Sequence, residues 1–166
     1  MRHAISVLVD NQAGVLSRVI GLFSGRGFNI ESLSVAPTLD PTKSKMVITT
    51  TGNEQVLEQI KKQLNKLINV IKVVDYVGKE FVEREMILVK VKAKEETRAE
   101  VLRIADIFRA KVVDVSSNSY TLALTGDKGK LEGFIEILSP IGIIDFIRTG
   151  TVVMEREMHG RRKLQV

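Results

Sequence analysis

Cysteine is absent from these 166 residues, and with it go disulfides, zinc–thiolate sites and thiol nucleophiles. Tryptophan is absent too, and aromatic residues make up only 5%. That leaves few platforms on which nucleic-acid bases could stack. Histidine occurs twice, at His3 and His159, so a His-based metal site or a Ser-His-Asp triad would have to be built from one end of the chain. No apolar run approaches the ~20 residues of a membrane span. Met1 to Ser6 passes straight into an alternating pattern without a signal-peptide core, so a cytoplasmic location is expected, with no membrane partner. What remains is 44% hydrophobic and 27% charged, the composition of a globular protein. Part of the net charge of +5 sits at Arg156, Arg161, Arg162 and Lys163, a basic tail that is only a weak footprint for nucleic acid.

The hydrophobic pattern changes period in a regular order. Ile5, Val7 and Val9 alternate with Ala4, Ser6 and Leu8 as a strand does. After the loop Asp10–Gly14, the residues Val15, Leu16, Val19, Ile20, Leu22 and Phe23 recur at helical spacing, and Gly25 and Gly27 are expected to end that helix. Strands are predicted over 28–35 and 44–51, with Pro37 and Pro41 bracketing the turn between them. Val56, Leu57, Ile60, Leu64, Leu67 and Ile68 mark a second helix capped by Asn53, and 70–77 reads as a fourth strand. The order β-α-β-β-α-β then recurs after Gly78-Lys79-Glu80, read as a hinge. It gives a strand over 85–92, a helix over 98–109 with Val101, Leu102, Ala105 and Phe108 inward, and a hairpin around Ser117-Asn118. A helix through Leu131, Phe134, Ile135 and Leu138 follows, then a last strand within 141–153. The expected fold class is α+β: two ferredoxin-like βαββαβ domains, over 1–78 and 79–166, each a four-stranded antiparallel sheet with both helices on one face. Units of about 75 residues are marginal alone, so each is expected to lean on the other or on a second chain.

The first loop carries the most chemical information. Asp10-Asn11-Gln12-Ala13-Gly14-Val15-Leu16 joins a strand to the start of a helix, where free backbone amides attract a carboxylate. Gly14 lets a ligand approach the backbone. Asp10 and Asn11 bring acceptor oxygens suited to an ammonium group, and Val15 and Leu16 would line an apolar pocket for an aliphatic side chain. Such a loop suits a free α-amino acid; the plainer reading is a βα turn in which glycine relieves crowding. In Arg26-Gly27-Phe28-Asn29-Ile30-Glu31, Asn29 and Glu31 share one side of a strand and alone are not diagnostic.

Taken together, Asn11 to Ala36, reading N-x-x-G-V-L-x-R-V-x-G-L-F-x-x-R-G-F-N-I-E-S-L-S-V-A, closely resembles the ACT domain of acetolactate synthase (acetohydroxyacid synthase) small subunits. Val82-Glu83-Arg84-Glu85 before an apolar strand, and Ile107-Phe108-Arg109, resemble the second domain of that family. The resemblance implies a non-catalytic regulatory subunit in branched-chain amino-acid biosynthesis. It implies a homodimer in which two amino-terminal ACT domains join into an eight-stranded sheet. Valine or a related branched-chain amino acid would bind at that interface, between Asn11, Gly14, Val15 and Leu16 of one chain and Asn29 and Ile30 of the other. It further implies that the chain activates a separate catalytic (large) subunit and confers feedback inhibition on it. Thiamine diphosphate, magnesium and FAD would belong to that subunit, so this chain itself is expected to hold no cofactor, no metal and no catalytic residue. In the second repeat Ala93-Lys94-Glu95-Glu96-Thr97 stands where the glycine loop would be, so a second effector site is not expected.

Three rival readings fit less well. A phosphatase on this topology would need an arginine or lysine in the first loop, and Arg18 falls a turn into the helix. A base-stacking RNA sheet would need aromatics in its central strands, and 44–51 offers none. A stand-alone amino-acid-binding ACT protein regulating some other enzyme would share the loop but not the long motif.

Overall fold

The computed structural model describes residues 2–157; His159 and the basic tail at Arg161, Arg162 and Lys163 lie outside the described residues. The elements follow the expected order: β1 (Arg2–Asp10), α1 (Val15–Ser24), β2 (Ile30–Pro37), β3 (Lys43–Thr51), α2 (Glu54–Leu64), β4 (Val70–Asp75), β5 (Phe81–Lys92), α3 (Arg98–Phe108), β6 (Lys111–Val115), β7 (Ser119–Gly126), α4 (Lys128–Leu138), β8 (Ile143–Arg148) and β9 (Val152–Glu155). The chain divides into two compact units. The first is Met1–Val82 with Thr151–Val166, and the second is Glu83–Gly150.

In the first unit the sheet order is β2-β3-β1-β4, every pairing antiparallel. Period-two alternation sends Ile5, Val7 and Val9 to one face, where Val15, Val19 and Phe23 of α1 and Leu57, Ile60 and Leu64 of α2 pack against them. Each such side chain taken out of water stabilises the fold by about 1.5–3 kcal/mol. Ala4 and Val47 point to the other face, packed with Tyr76 and Val153, and the Tyr76 and Ser6 hydroxyls share a buried hydrogen bond of 3.3 Å. The second unit repeats the plan with sheet order β6-β7-β5-β8. Ile87, Val89, Val91, Leu122 and Leu124 lie under α3 and α4.

Several local expectations shift. α2 does begin at Asn53, whose side chain accepts from the Val56 amide at 2.9 Å, but the helix stops at Leu64. Leu67 still reaches the core while Ile68 does not. In α3 Val101, Ile104 and Ala105 are buried and Phe108 packs against the core as expected, while Leu102 faces out. Gly25 is right-handed (φ −65°), and Gly27 alone takes the left-handed turn (φ +70°). The single strand expected within 141–153 is two, β8 and β9. β9 pairs with β5, the Arg156 amide donates to the Glu80 carbonyl at 2.9 Å, and Thr151 onward belongs with the first unit. Gly78-Lys79-Glu80 is accordingly a turn within the first unit, closed by Lys79 N–H on the Tyr76 carbonyl at 3.2 Å. The division after Val82 falls four residues beyond the expected boundary.

Candidate functional site

The β1–α1 loop leaves the sheet where Asp10 pairs with Lys43. Gly14 sits at the N-cap of α1 with φ +84°, no side chain caps the helix, and its first turn carries no acidic residue. Val15 N–H reaches back to Gln12 O at 3.3 Å and Arg18 N–H takes Gly14 O at 3.1 Å. The intervening amides of Leu16 and Ser17 therefore remain at the open start of the helix, where a carboxylate is favoured by geometry and by the helix dipole. A Cβ built on Gly14 meets nothing within 4 Å, so the space above the loop is open. Leu16 is 36% exposed beside it, whereas Val15 is only 4% exposed and packs in the core. Of the two aliphatic residues expected to line a pocket, only Leu16 faces outward.

Two neighbouring loops brace this one. Asn11 donates its backbone N–H to Thr42 O at 2.8 Å and its side-chain amide to Pro41 O at 2.9 Å. On the other side Asp10 N–H donates to Asn69 O at 2.9 Å, Asn69 Nδ2 donates to Asp10 Oδ2 at 3.2 Å, and Arg18 Nη1 donates to Asn69 Oδ1 at 2.8 Å. Nothing in the sequence marks Asn69 or the Pro41 carbonyl as neighbours of this loop, since strand pairing is what brings each of them to it. The turn between β2 and β3 is itself closed. The Asp40 carboxylate is held down to about 2 by the Lys43 ammonium first and then by the Thr42 hydroxyl and amide. A lowered carboxyl stabilises the fold above its ordinary value of 3.8. That contribution fades as pH falls from there through about 2, so the brace is intact at neutral pH.

Asn29 and Ile30 lie elsewhere. Thr50 Oγ1 donates to the Asn29 carbonyl at 2.7 Å, and Ile30 pairs with Thr50, which in turn sits opposite His3. From Thr42, beside Asn11, to Thr50, beside Asn29, β3 climbs about 27 Å at ~3.4 Å per residue. One chain therefore brings Asn11, Gly14 and Leu16 together at one end of the sheet and holds Asn29 and Ile30 at the other. β2 is an edge strand, with Asn29 just before its first residue and Pro37 as its last. A two-fold antiparallel pairing of β2 with the β2 of another copy reverses one strand against the other. It carries the partner copy's Asn29 end toward the loop end of this chain. Pairing through the other edge, β4, does not.

The matching loop of the second unit is filled from within. Arg98 Nε donates to Ala93 O at 3.1 Å and its Nη2 donates to Ser117 O, so a guanidinium occupies the carbonyl acceptors there. Among the described residues no group of three or more His, Cys, Asp or Glu could hold a metal ion, and no helix is long and apolar enough to cross a membrane.

Comparison with known proteins matches residues 5–72 to the family described as the AHAS small subunit-like ACT domain. Residues 84–157 match the family described as the small subunit of acetolactate synthase. An acetolactate synthase small subunit from Haemophilus influenzae is 50% identical over 157 residues, covering 94% of this chain and 96% of that one. A probable acetolactate synthase small subunit from Archaeoglobus fulgidus is 48% identical over 156 residues, covering 94% and 98%. Among solved structures, the acetolactate synthase small subunit of Thermotoga maritima superposes with a TM-score of 0.88 at 39% identity, over 95% of this chain and 98% of that one.

Proposed function

The chain belongs to the acetolactate synthase small-subunit family, and from that premise we propose that it is the subunit through which a branched-chain amino acid controls a separate catalytic chain. The effector is valine or a close relative, and bound it restrains acetolactate synthesis; without it the chain raises the catalytic subunit's rate. The reading rests on the split of the site. The open helix start at Gly14–Leu16 takes the effector's carboxylate, and Asn11 turns toward its ammonium group. The partner copy closes the pocket with Asn29 and Ile30 across paired β2 edges. The bond chemistry, with thiamine diphosphate, magnesium and FAD, belongs to the catalytic subunit, and the complex works in the cytoplasm.

Two measurements test this. The purified chain should show no acetolactate synthase turnover, and adding it to the catalytic subunit should raise pyruvate condensation, with valine reversing the gain. An unchanged rate removes the role of activator. Light scattering at micromolar concentration with valine present should give a dimer, and a monomer under those conditions removes the shared pocket.

A further inference from the structure

A groove of about 350 Å³ opens in the first unit between α2 and the end of β4. Leu57 and Val77 give it an apolar floor, and Glu54, Gln55, Glu58, Lys61 and Asp75 form its walls. Three carboxylates stand there against one ammonium, in a chain whose net charge is +5. Asp75 holds Lys61 at 3.1 Å, so that cation is engaged within the wall, while Glu54 and Glu58 are exposed. Acidic residues in a first turn suit the helix dipole and by themselves make an ordinary solvated face. What sets this face apart is where the chain is brought after β9. Arg156 N–H donates to Glu80 O at 2.9 Å, and Lys79 Nζ meets the Glu155 carboxylate at 3.3 Å. Glu80 is three residues from Val77, a span of at most about 10 Å. The described residues end at Glu157, beside the groove. Arg161, Arg162, Lys163 and Leu164 come next in the sequence, and the four to six residues from Glu157 to the three cations span about 13–20 Å when extended.

We propose that Arg161, Arg162 and Lys163 of this same chain occupy the groove, their cations set against Glu54, Glu58 and Asp75, with Leu164 over Val77. Charge and tether select this occupant. An acidic wall repels phosphate and nucleic acid and attracts guanidinium groups, whose forked donors match carboxylates. Joined to the groove's own chain by a few residues, the segment meets it at an effective concentration of about a millimolar or more, an advantage that no separate molecule shares. Its place in the fold gives the contact a purpose. β4 is an edge strand of the first sheet, and proteins cover such edges to keep other chains from pairing with them. The docked segment closes the Asp75 end of that edge, while β2, at the opposite edge, is left untouched.

Because the chain has no cysteine of its own, two introduced thiols give a clean test. In the full chain as Q55C/Q165C, one thiol lines the groove and the other follows the basic segment. Oxidised glutathione should close a disulfide within the chain about tenfold faster than in the same protein carrying R161Q, R162Q and K163Q as well, the combined worth of three exposed ion pairs. At about 1 M salt, where screening acts within about 3 Å, the difference should vanish. Gln55 is exposed, so circular dichroism of both proteins should match the native chain. Loss of free thiol follows the reaction, and a denaturing gel without reductant separates a bridge within one chain from a bridge between two. Equal rates with and without the three cations overturn the proposal. So does a product of doubled mass, which assigns the groove to the basic segment of a second copy.

Discussion

Replacing Gly14 with aspartate is expected to weaken binding of the branched-chain effector about ten- to a hundredfold while the chain stays folded. The backbone at Gly14 is left-handed, at φ +84°, which aspartate tolerates better than most residues; the strain is of order 1 kcal/mol. The new side chain meets no neighbour within 4 Å. Its carboxylate would stand at an uncapped helix start, where it interacts favourably with the dipole. The gain for the helix is the loss for the ligand, because the same amides are what the effector's carboxylate needs. Losing one charged hydrogen bond costs about 1.5–3 kcal/mol, which is the stated range in affinity. Titration calorimetry on both proteins, beside circular dichroism, measures it. A folded variant that binds valine as tightly as the native chain takes the first loop out of the site.

The other large effect is expected in the second unit. Phe134 is fully buried and its ring lies 5.1 Å from that of Phe108 at 55°. Phe134→Ala removes most of the side chain from a core of eleven buried residues. Truncations of this kind cost about 3–5 kcal/mol, set against ordinary total stabilities of about 5–15 kcal/mol. Urea unfolding followed by circular dichroism should show the loss as a lowered midpoint. A change below about 1 kcal/mol would mean that the core closes over the gap.

Where periodicity and glycine chemistry act over a few residues, the fold was legible in the sequence. Val7, Val9, Val19 and Phe23 announced their faces, and Asn53 announced its cap. Errors came where two local signals competed. Ile68 continues the helical spacing of α2, but β4 must begin at Val70 to pair with β1, and the helix gives way. Leu102 and Ile104 both fit α3, and only the packing against β5 and β7 selects Ile104. The break between β8 and β9 is marked by Thr149-Gly150, a weak signal inside a long apolar stretch. Within the candidate site, Gly14 and Leu16 were readable, while the inward turn of Val15 was not. Pro41 and Asn69 were invisible because their contacts with the effector loop join residues 30 and 59 positions apart.

The first unit is assembled from two stretches of chain that flank the second unit, and this orders its birth. When a ribosome has delivered Val82, the face bearing Ala4, Val47 and Tyr76 still waits for Val153, and Arg2 has yet to meet the Thr151 hydroxyl it will hold at 2.8 Å. The second unit, continuous from Glu83 to Gly150, is complete before that closure can happen. At translation rates of about 5–20 residues per second, the open face persists for several seconds on every nascent chain. A premature stop near residue 150 would therefore injure the amino-terminal domain, more than 140 residues upstream at Ala4, while sparing the unit it directly follows.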